Sequence, residues 1–210
     1  MKIKGTAETA HDSMGPVQHI IKRLTDIVCS LGGIITLSPL FLIITVMMKM
    51  QNNGPVIFRQ TRIGYKGRPF VIFKFRTMSS LVEEEGPQLV ATSDSSNSTR
   101  LEQFLRDHHL DELPQLWNVL KGDMSLVGPR PERKYFIDKI MQHTDRYPII
   151  YEMRPGLTSE ATLYNGYTDT MAKMLRRLEM DIHYLEHRSL WTDFLIVVKT
   201  VINIISGKKF

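Results

Sequence analysis

The chain has 210 residues, of which 42% are hydrophobic, and this length and composition are ordinary for one folded domain of modest size. Its formal net charge of +5 suits a phosphate-bearing small molecule, an anionic lipid surface or a nucleic acid as partner. The single cysteine, Cys29, excludes an internal disulfide and is compatible with a reducing compartment.

The N-terminal residues are polar and lack the apolar core that a cleaved signal sequence has. We expect residues 1–19 to form a loose tail. The segment that follows, residues 20–50, contains the most continuously hydrophobic part of the chain. A membrane is its expected environment because few polar residues interrupt it.

This apolar segment is broken in its middle by Ser38 and Pro39. A straight helix over it would be long enough to cross a bilayer. Pro39, however, lacks a backbone donor and clashes with the carbonyl group of Ile35, and Ser38 can donate to a freed carbonyl group. We therefore expect a sharp bend here, which leaves each arm too short to cross alone.

Basic residues flank the apolar run from Leu31 to Met48 on both sides, since Lys22 and Arg23 precede it and Lys49, Arg59 and Arg62 follow it. Short loops rich in lysine and arginine prefer the cytoplasmic side of a membrane. A re-entrant hairpin that enters and leaves through one face satisfies both flanks. A spanning helix with a proline kink is an open alternative, and a buried core helix is a third that the glycines and proline disfavour.

Two short segments after the apolar run have the composition of β-strands. Residues 56–60 and 70–77 are rich in aromatic and β-branched side chains, and a turn sequence at 65–69 separates them. We predict a β-hairpin in which Lys74 and Arg76 share one face, because side chains alternate along a strand.

The remaining periodic segments predict helices. Polar residues dominate 79–98, which indicates a long loop that is a mobile lid or a disordered excursion. Helical spacing of apolar residues predicts helices over 99–106 and 171–186. The segment 190–205 is short for a membrane span, so we expect an interfacial amphipathic helix with Trp191 at headgroup level, and a buried soluble helix is the alternative.

The densest group of chemically special residues lies at 110–132. Pro114 and Gly122 suit the start and end of a short helix, with Asp111 and Glu112 at its N-terminus. We expect Asp111 to have an ordinary pKa near 4, so that it is ionised and can attack phosphorus without a base. Beside it, Glu112 could share a Mg²⁺ ion with Asp111 and a diphosphate. A helix cap is the plainer alternative for the pair.

Arginines near this group could supply a phosphate site. Arg130 lies between two prolines, which restrict the local backbone and aim the guanidinium group before a ligand arrives. Arg106 and Arg154 add positive charge that we expect to converge on Asp111. For each arginine taken singly, a surface ion pair is the alternative.

On these residues the chain resembles the bacterial sugar transferase family, the small monotopic polyprenyl-phosphate phosphoglycosyl transferases. The resemblance runs from about residue 22 to the end. Its motifs are Lys22-Arg23-Leu24 with Asp26, Ser38-Pro39, Arg62-Ile63-Gly64, Lys74-Phe75-Arg76-Thr77-Met78, residues 110–131 and Arg154-Pro155-Gly156-Leu157-Thr158.

The resemblance implies an α+β fold with a re-entrant membrane helix hairpin over residues 20–50. Residues 51–210 would form a small catalytic domain at the cytoplasmic face of the bacterial inner membrane, with short helices, a β-hairpin and interfacial amphipathic helices. The implied catalytic residues, which would also hold Mg²⁺, are Asp111 and Glu112. The implied substrate-binding residues are Arg130, Arg106, Arg154, Lys74 and Arg76.

The implied reaction has two steps and is the first membrane step of bacterial glycan assembly. Asp111 would attack the β-phosphate of a nucleoside diphosphate sugar, a UDP-sugar, and carry a covalent phospho-sugar. Glu112 would help to place Mg²⁺ or receive the acceptor's proton. Undecaprenyl phosphate, reaching the site from the bilayer, would then take the phospho-sugar.

Two departures from the family pattern leave the donor sugar open. Residues 159–166 lack the Gly and Ala-Gln-Val run of many members, and residues 79–98 lack the usual loop sequence. A non-catalytic membrane-surface protein that binds phosphorylated lipids is the alternative function. Nucleic acid is not an expected partner because no aromatic residues are interleaved with the arginines in a recognisable module. The sequence does not indicate an oligomeric state.

Overall fold

A computed structural model describes residues 10–51, 54–77, 99–166 and 168–206 of the chain. Within these residues, helices surround two small two-stranded sheets, so the predicted α+β class is confirmed. The loop predicted over residues 79–98 lies outside the described residues.

The apolar segment forms two helices, α1 (Pro16–Thr36) and α2 (Ser38–Met50), whose axes are bent by 57°. This confirms the predicted bend, and the hydroxyl group of Ser38 donates to the carbonyl oxygen of Ile35 at 2.8 Å, as predicted. Among the described residues, no single helix is long and apolar enough to cross a membrane. The bent pair passes that test of length and composition only when both helices are taken together.

The residues before α1 differ from the predicted loose tail. Helix α1 begins at Pro16, before the expected boundary at residue 20. Asp12 accepts a hydrogen bond from Nε of Arg188 at 2.9 Å, the backbone N–H of Ser13 donates to Leu185, and Met14 is buried. Residues 12–14 therefore contact the rest of the domain. No local sequence signal predicted this because their partners are distant in the chain.

The predicted hairpin is present. Strands β1 (Ile57–Ile63) and β2 (Pro69–Phe75) pair antiparallel, with Arg62 opposite Phe70 and Phe58 opposite Lys74. A single 3₁₀ turn joins them, and within it Lys66 has a positive φ of 55°. The hairpin packs through Phe75 on Ile44 and Met48 of α2, so the bent helix pair and the rest of the domain share a core.

The other helices agree with the sequence prediction wherever one was made. Residues 99–106 and 171–186 were predicted helical, as were 190–205 and a short segment ending at Gly122. The helices after the hairpin are α3 (Arg100–Asp107), α4 (Gln115–Lys121), α5 (Lys134–Met141), α6 (Glu160–Asn165), α7 (Met171–His187) and α8 (Leu190–Ile205). Gly122 ends α4 with a left-handed φ of 99°.

A second, parallel sheet joins the segments around Gly128 and Gly156. Strand β3 (Ser125–Val127) pairs with β4 (Gly156–Thr158), and the N–H group of Gly128 donates to the carbonyl of Thr158 at 3.0 Å. A Cβ atom on Gly156 would lie 2.2 Å from the nitrogen of Gly128, so only glycine allows this approach. The sheet fixes the start of the segment that carries Arg130.

Helix α1 attaches to the domain through a polar seam, which we define as Lys22, Arg23 and Asp26. Lys22 donates to Asp193 of α8 at 2.5 Å, and Asp26 accepts from the backbone N–H of Leu126 at 2.9 Å. The Arg23 guanidinium donates to two carbonyl groups at the C-terminal end of α4. These contacts place the charged side chains of α1 against protein.

Large apolar side chains of α1 and α8 are exposed and form what we call the apolar face. Helix α8 thus has an exposed apolar side, while Asp193 and Ile196 on its other side are buried, which does not fit the alternative of a fully buried helix. The exposed residues are Val17, Ile20, Ile21, Leu24, Val28, Leu31 and Ile35 of α1 and Trp191, Phe194, Leu195, Val198, Val201 and Ile202 of α8.

Candidate active site

Asp111 and Glu112 lie in a separate 3₁₀ turn, Leu110–Glu112, which ends shortly before the N-terminus of α4, where the pair was expected. His109 starts this turn with a left-handed φ of 53°. Leu113 and Pro114 separate the turn from α4, because the chain makes two short hydrogen-bonded turns before the regular helix begins. The pair is therefore held by local backbone geometry, and not as a helix cap.

Glu112 is held by two cations. Its Oε1 atom accepts from Nζ of Lys74 at 2.6 Å and from Nη2 of Arg130 at 3.1 Å, and its side chain is 12% exposed. Burial alone would raise the pKa of Glu112, but the charges of Lys74 and Arg130 outweigh it and hold this pKa well below the usual range. Glu112 is therefore a fixed negative charge and a weak base.

Asp111 differs from its neighbour. The residue is only 9% exposed, and burial together with the negative charge of Glu112 raises the pKa of Asp111 to about 6, against the opposing charges of Lys74 and Arg130. The predicted pKa near 4 is therefore wrong, because the sequence does not show how deeply the carboxyl group lies. At pH 7 a pKa of about 6 still leaves about nine Asp111 side chains in ten ionised.

Lys74 is positioned by Asn118, a residue that the sequence analysis did not select. The fully buried Asn118 side chain donates to the carbonyl of Val71 at 2.7 Å and accepts from the N–H of Phe73 at 3.1 Å. It therefore binds the outer edge of β2 to α4 and brings Lys74 to Glu112. The signal available in the sequence was a polar residue among apolar neighbours in a predicted short helix.

Of the predicted arginines, the structure brings Arg130 into direct contact with the carboxylate pair. Arg154 was expected to converge there as well, but its Nε donates to the carbonyl of Gly122 at 3.1 Å, at the far end of α4 from Asp111. That expectation is corrected, because the C-terminal carbonyl groups of a helix attract a cation.

The two other arginines that were predicted to bind substrate are Arg106 and Arg76. Arg106 is in the last turn of α3, and its backbone carbonyl accepts from the N–H of His109. Arg76 follows β2, where its N–H donates to Val56 and its guanidinium lies close to Gly54. Their roles in substrate binding stay predictions.

The carboxylate pair offers a limited site for Mg²⁺. Among the described residues, no group of three or more His, Cys, Asp or Glu side chains could hold a metal ion. Mg²⁺ commonly binds through one or two carboxylates plus substrate phosphates and water, so Asp111 and Glu112 fit that pattern. Because Oε1 of Glu112 already accepts from two cations, a diphosphate and water would have to supply the remaining ligands.

Two unlike carboxylates thus lie beside Lys74 and Arg130, in a domain attached to a bent apolar helix pair. This arrangement agrees with the resemblance to the bacterial sugar transferase family. The sequence model described as "Bacterial sugar transferase" matches residues 17–207. The chain belongs to the bacterial sugar transferase family.

Several relatives have names that state an activity. The chain is 40% identical over 192 residues to the UDP-N-acetylgalactosamine-undecaprenyl-phosphate N-acetylgalactosaminephosphotransferase of Aeromonas hydrophila, covering 91% of this chain and 45% of that protein. It is 42% identical over 183 residues to the UDP-glucose:undecaprenyl-phosphate glucose-1-phosphate transferase of Caulobacter vibrioides, covering 86% and 68%. It is 35% identical over 198 residues to the exopolysaccharide production protein PSS of Rhizobium leguminosarum bv. phaseoli, covering 91% and 98%. The chain thus spans less than half of the Aeromonas protein.

Because the pKa values of Asp111 and Glu112 are shifted in opposite directions, we expect their substitution to have opposite effects on stability. Because the folded protein binds a proton at Asp111 more tightly than the unfolded chain does, Asp111→Asn should raise the free energy of unfolding at pH 7.5 by about 3 kcal/mol. This gain should shrink as the pH falls below about 6 and vanish below about pH 4, where Asp111 is protonated in the unfolded chain as well. Glu112→Gln should lower the free energy of unfolding by about 2 kcal/mol, since it leaves the largely buried Lys74 and the partly exposed Arg130 without an ionised partner.

Thermal unfolding in one detergent measures both effects. Glu186→Gln, at an exposed glutamate, is the matched control and should have little effect. Equal destabilisation by Asp111→Asn and Glu112→Gln would contradict the difference in pKa between the two carboxyl groups.

Proposed function

We propose that this chain transfers a sugar-1-phosphate from a UDP-sugar to undecaprenyl phosphate through a covalent intermediate on Asp111. The observation that carries the proposal is the unlike pair of adjacent carboxylates beside Lys74 and Arg130. The family membership and the names of the relatives support the reaction class.

In the first step, a carboxylate oxygen of Asp111 forms a bond to the β-phosphorus of the UDP-sugar. The bond from that phosphorus to the bridging oxygen breaks, and UMP leaves with the electron pair. The raised pKa makes Asp111 a more basic carboxylate than an exposed one while leaving it mostly ionised at neutral pH. No proton has to be removed from the nucleophile.

In the second step, a phosphate oxygen of undecaprenyl phosphate attacks the same phosphorus, and the bond to Asp111 breaks. The product is undecaprenyl diphosphate sugar, and the Asp111 carboxylate is regenerated. Glu112 is poorly suited to receive the acceptor's proton because its pKa is lowered. Its proposed role is to keep Lys74 and Arg130 in place, where their remaining N–H groups can bind the phosphate oxygens.

Mg²⁺ is the proposed cofactor, held by Asp111 and Glu112 together with the donor diphosphate. When bound, it would neutralise phosphate charge and so reduce the repulsion between the donor and the Asp111 carboxylate. Lys74 and Arg130 supply fixed positive charge at the same place.

The proposed location is the cytoplasmic face of the bacterial inner membrane, with α1 and α2 as a re-entrant hairpin. A water-soluble donor and a lipid acceptor can meet only at an interface. The exposed apolar face of α1 and α8 suits contact with lipid, and the polar seam faces the domain, so the charged side chains of α1 need not enter the hydrocarbon.

This topology predicts that both ends of the described chain are on one side of the membrane. In a Cys29→Ser background, His11→Cys and Ser206→Cys should both resist an impermeant maleimide in intact cells and both react in inside-out vesicles. Labelling of the two positions from opposite sides would contradict the hairpin and favour a kinked spanning helix.

The covalent intermediate predicts a specific change in mass. Purified protein incubated with Mg²⁺ and UDP-glucose or UDP-N-acetylgalactosamine, without acceptor, should release UMP and gain one phospho-sugar on the peptide that contains Asp111. The adduct should disappear when undecaprenyl phosphate is added. Mass spectrometry of the intact protein and of its peptides measures this.

Two variants sharpen the test. Asp111→Asn should form no adduct and release no UMP, whereas Asp107→Asn, an exposed aspartate four residues earlier, should behave as the wild type. UMP release that persists in Asp111→Asn would contradict the proposed nucleophile. Donor binding without any adduct would favour a non-catalytic protein that binds phosphorylated ligands.

A further inference from the structure

The short segment that carries Arg130 is fastened to the end of strand β1. Nη1 of Arg62 donates to the carbonyl of Pro131 at 3.2 Å and lies 3.4 Å from Oε2 of Glu132. The neighbouring N–H of Ile63 donates to the carbonyl of Glu132 at 3.1 Å. Strand β1 therefore contacts both residues that follow Arg130.

A second arginine holds the other oxygen of the same glutamate. Nη1 of Arg177, in α7, donates to Oε1 of Glu132 at 3.0 Å. The Arg62, Glu132 and Arg177 side chains are 17%, 14% and 10% exposed, so water screens this cluster weakly. Glu132 is thus fixed from two elements that are far apart in the sequence.

Stability alone explains this cluster poorly. Burying charges costs desolvation energy that their attraction often fails to recover, and apolar side chains would fill the same space at no such cost. The Nε atoms of Arg62 and Arg177 are, in addition, buried without a hydrogen-bond partner. Such a cost is expected where a buried polar cluster fixes a geometry that function needs.

This cluster can fix the position of Arg130. Pro131 restricts the backbone between Arg130 and Glu132, so movement of Glu132 would be transmitted to Arg130. Arg130 in turn donates to Glu112 at 3.1 Å. The path from Arg62 to the carboxylate pair is therefore short and passes through residues with little freedom.

The same hairpin also carries Lys74. Arg62 pairs with Phe70 and Lys74 pairs with Phe58, so the two cations lie four residue pairs apart along the hairpin. At about 3.3 Å per residue, this separation is about 13 Å. The hairpin thus delivers Lys74 to Glu112 directly and supports Arg130 through the segment that follows it.

We infer that Arg62 is a positioning residue for the transfer reaction: it holds Pro131 and Glu132 so that Arg130 stays on Glu112 and faces the substrate phosphates. This inference rests on the proposed function for its kinetic consequence. Arg62 itself contacts neither Asp111 nor Glu112 in the structure, and it acts through Arg130.

A double-mutant cycle tests this role. Arg62→Gln should lower kcat/KM for UMP release roughly 10- to 100-fold, because a misplacement of about 1 Å is enough for such a loss. Arg130→Gln should lower it at least as far. The double variant should be no worse than Arg130→Gln alone, since Arg62 acts through Arg130. The assay uses UDP-glucose or UDP-N-acetylgalactosamine, whichever the wild type consumes, with undecaprenyl phosphate and Mg²⁺.

Two further variants, and the unfolding midpoint of each, test for a purely structural role. Arg62→Lys keeps the charge and should recover part of the activity, with an unfolding midpoint near that of the wild type. Arg59→Gln, at an exposed arginine of the same strand, is the matched control and should change neither activity nor midpoint. If Arg62→Gln does not fold, the cycle is made with Arg62→Lys. Multiplicative losses in the double variant, or wild-type kcat/KM in the single one, would overturn the inference.

The inference and the proposed function fail in different ways. If the wild type releases no UMP, the proposed function fails, and the same double-mutant cycle is then measured through the unfolding midpoints of the four proteins. The shift in midpoint caused by Arg130→Gln should be smaller in the Arg62→Gln background than in the wild type, because in the Arg62→Gln variant Arg130 no longer contacts Glu112. Equal shifts in the two backgrounds would overturn the positioning role without any reference to activity.

Discussion

The pairing of Glu112 with Lys74 and Arg130 is the interaction on which the site depends. It joins three parts of the chain: the 3₁₀ turn with Asp111, the β-hairpin, and the segment after β3. Because Glu112 stays ionised, its charge adds to the effect of burial and raises the pKa of its neighbour. The two carboxylates therefore have different chemistry although they are adjacent and of one type, which is the pattern expected where catalysis needs different protonation behaviour.

The frame around this pair is built largely from polar contacts between distant segments. Asn118 holds the edge of β2 to α4, and the polar seam of α1 holds the same helix and β3 from the other side. Since the polar seam belongs to the bent helix pair, the helices proposed to enter the membrane also support the site. The proposed anchor and the active-site scaffold would thus be one structure, which suits the proposed reaction between a soluble donor and a lipid acceptor.

Local features of this fold could be predicted from the sequence, and long-range features could not. The bend at Ser38, the hairpin and the helix end at Gly122 follow from backbone chemistry over a few residues, and all three are confirmed. The raised pKa of Asp111 depends on burial by other segments, and the place of Arg154 depends on where α4 ends in space. Sequence motifs therefore indicated the candidate site, while its electrostatics needed the structure.

The central claim is that Asp111 and Glu112 titrate far apart, and a ¹³C NMR titration of labelled carboxyl groups in metal-free detergent solution tests it most directly. Spectra of Asp111→Asn and Glu112→Gln would assign the two signals. The expected result is a midpoint near pH 6 for Asp111, with Glu112 still ionised at the lowest pH at which the fold persists. Ordinary midpoints near pH 4 for both groups, or a higher midpoint for Glu112 than for Asp111, would contradict it.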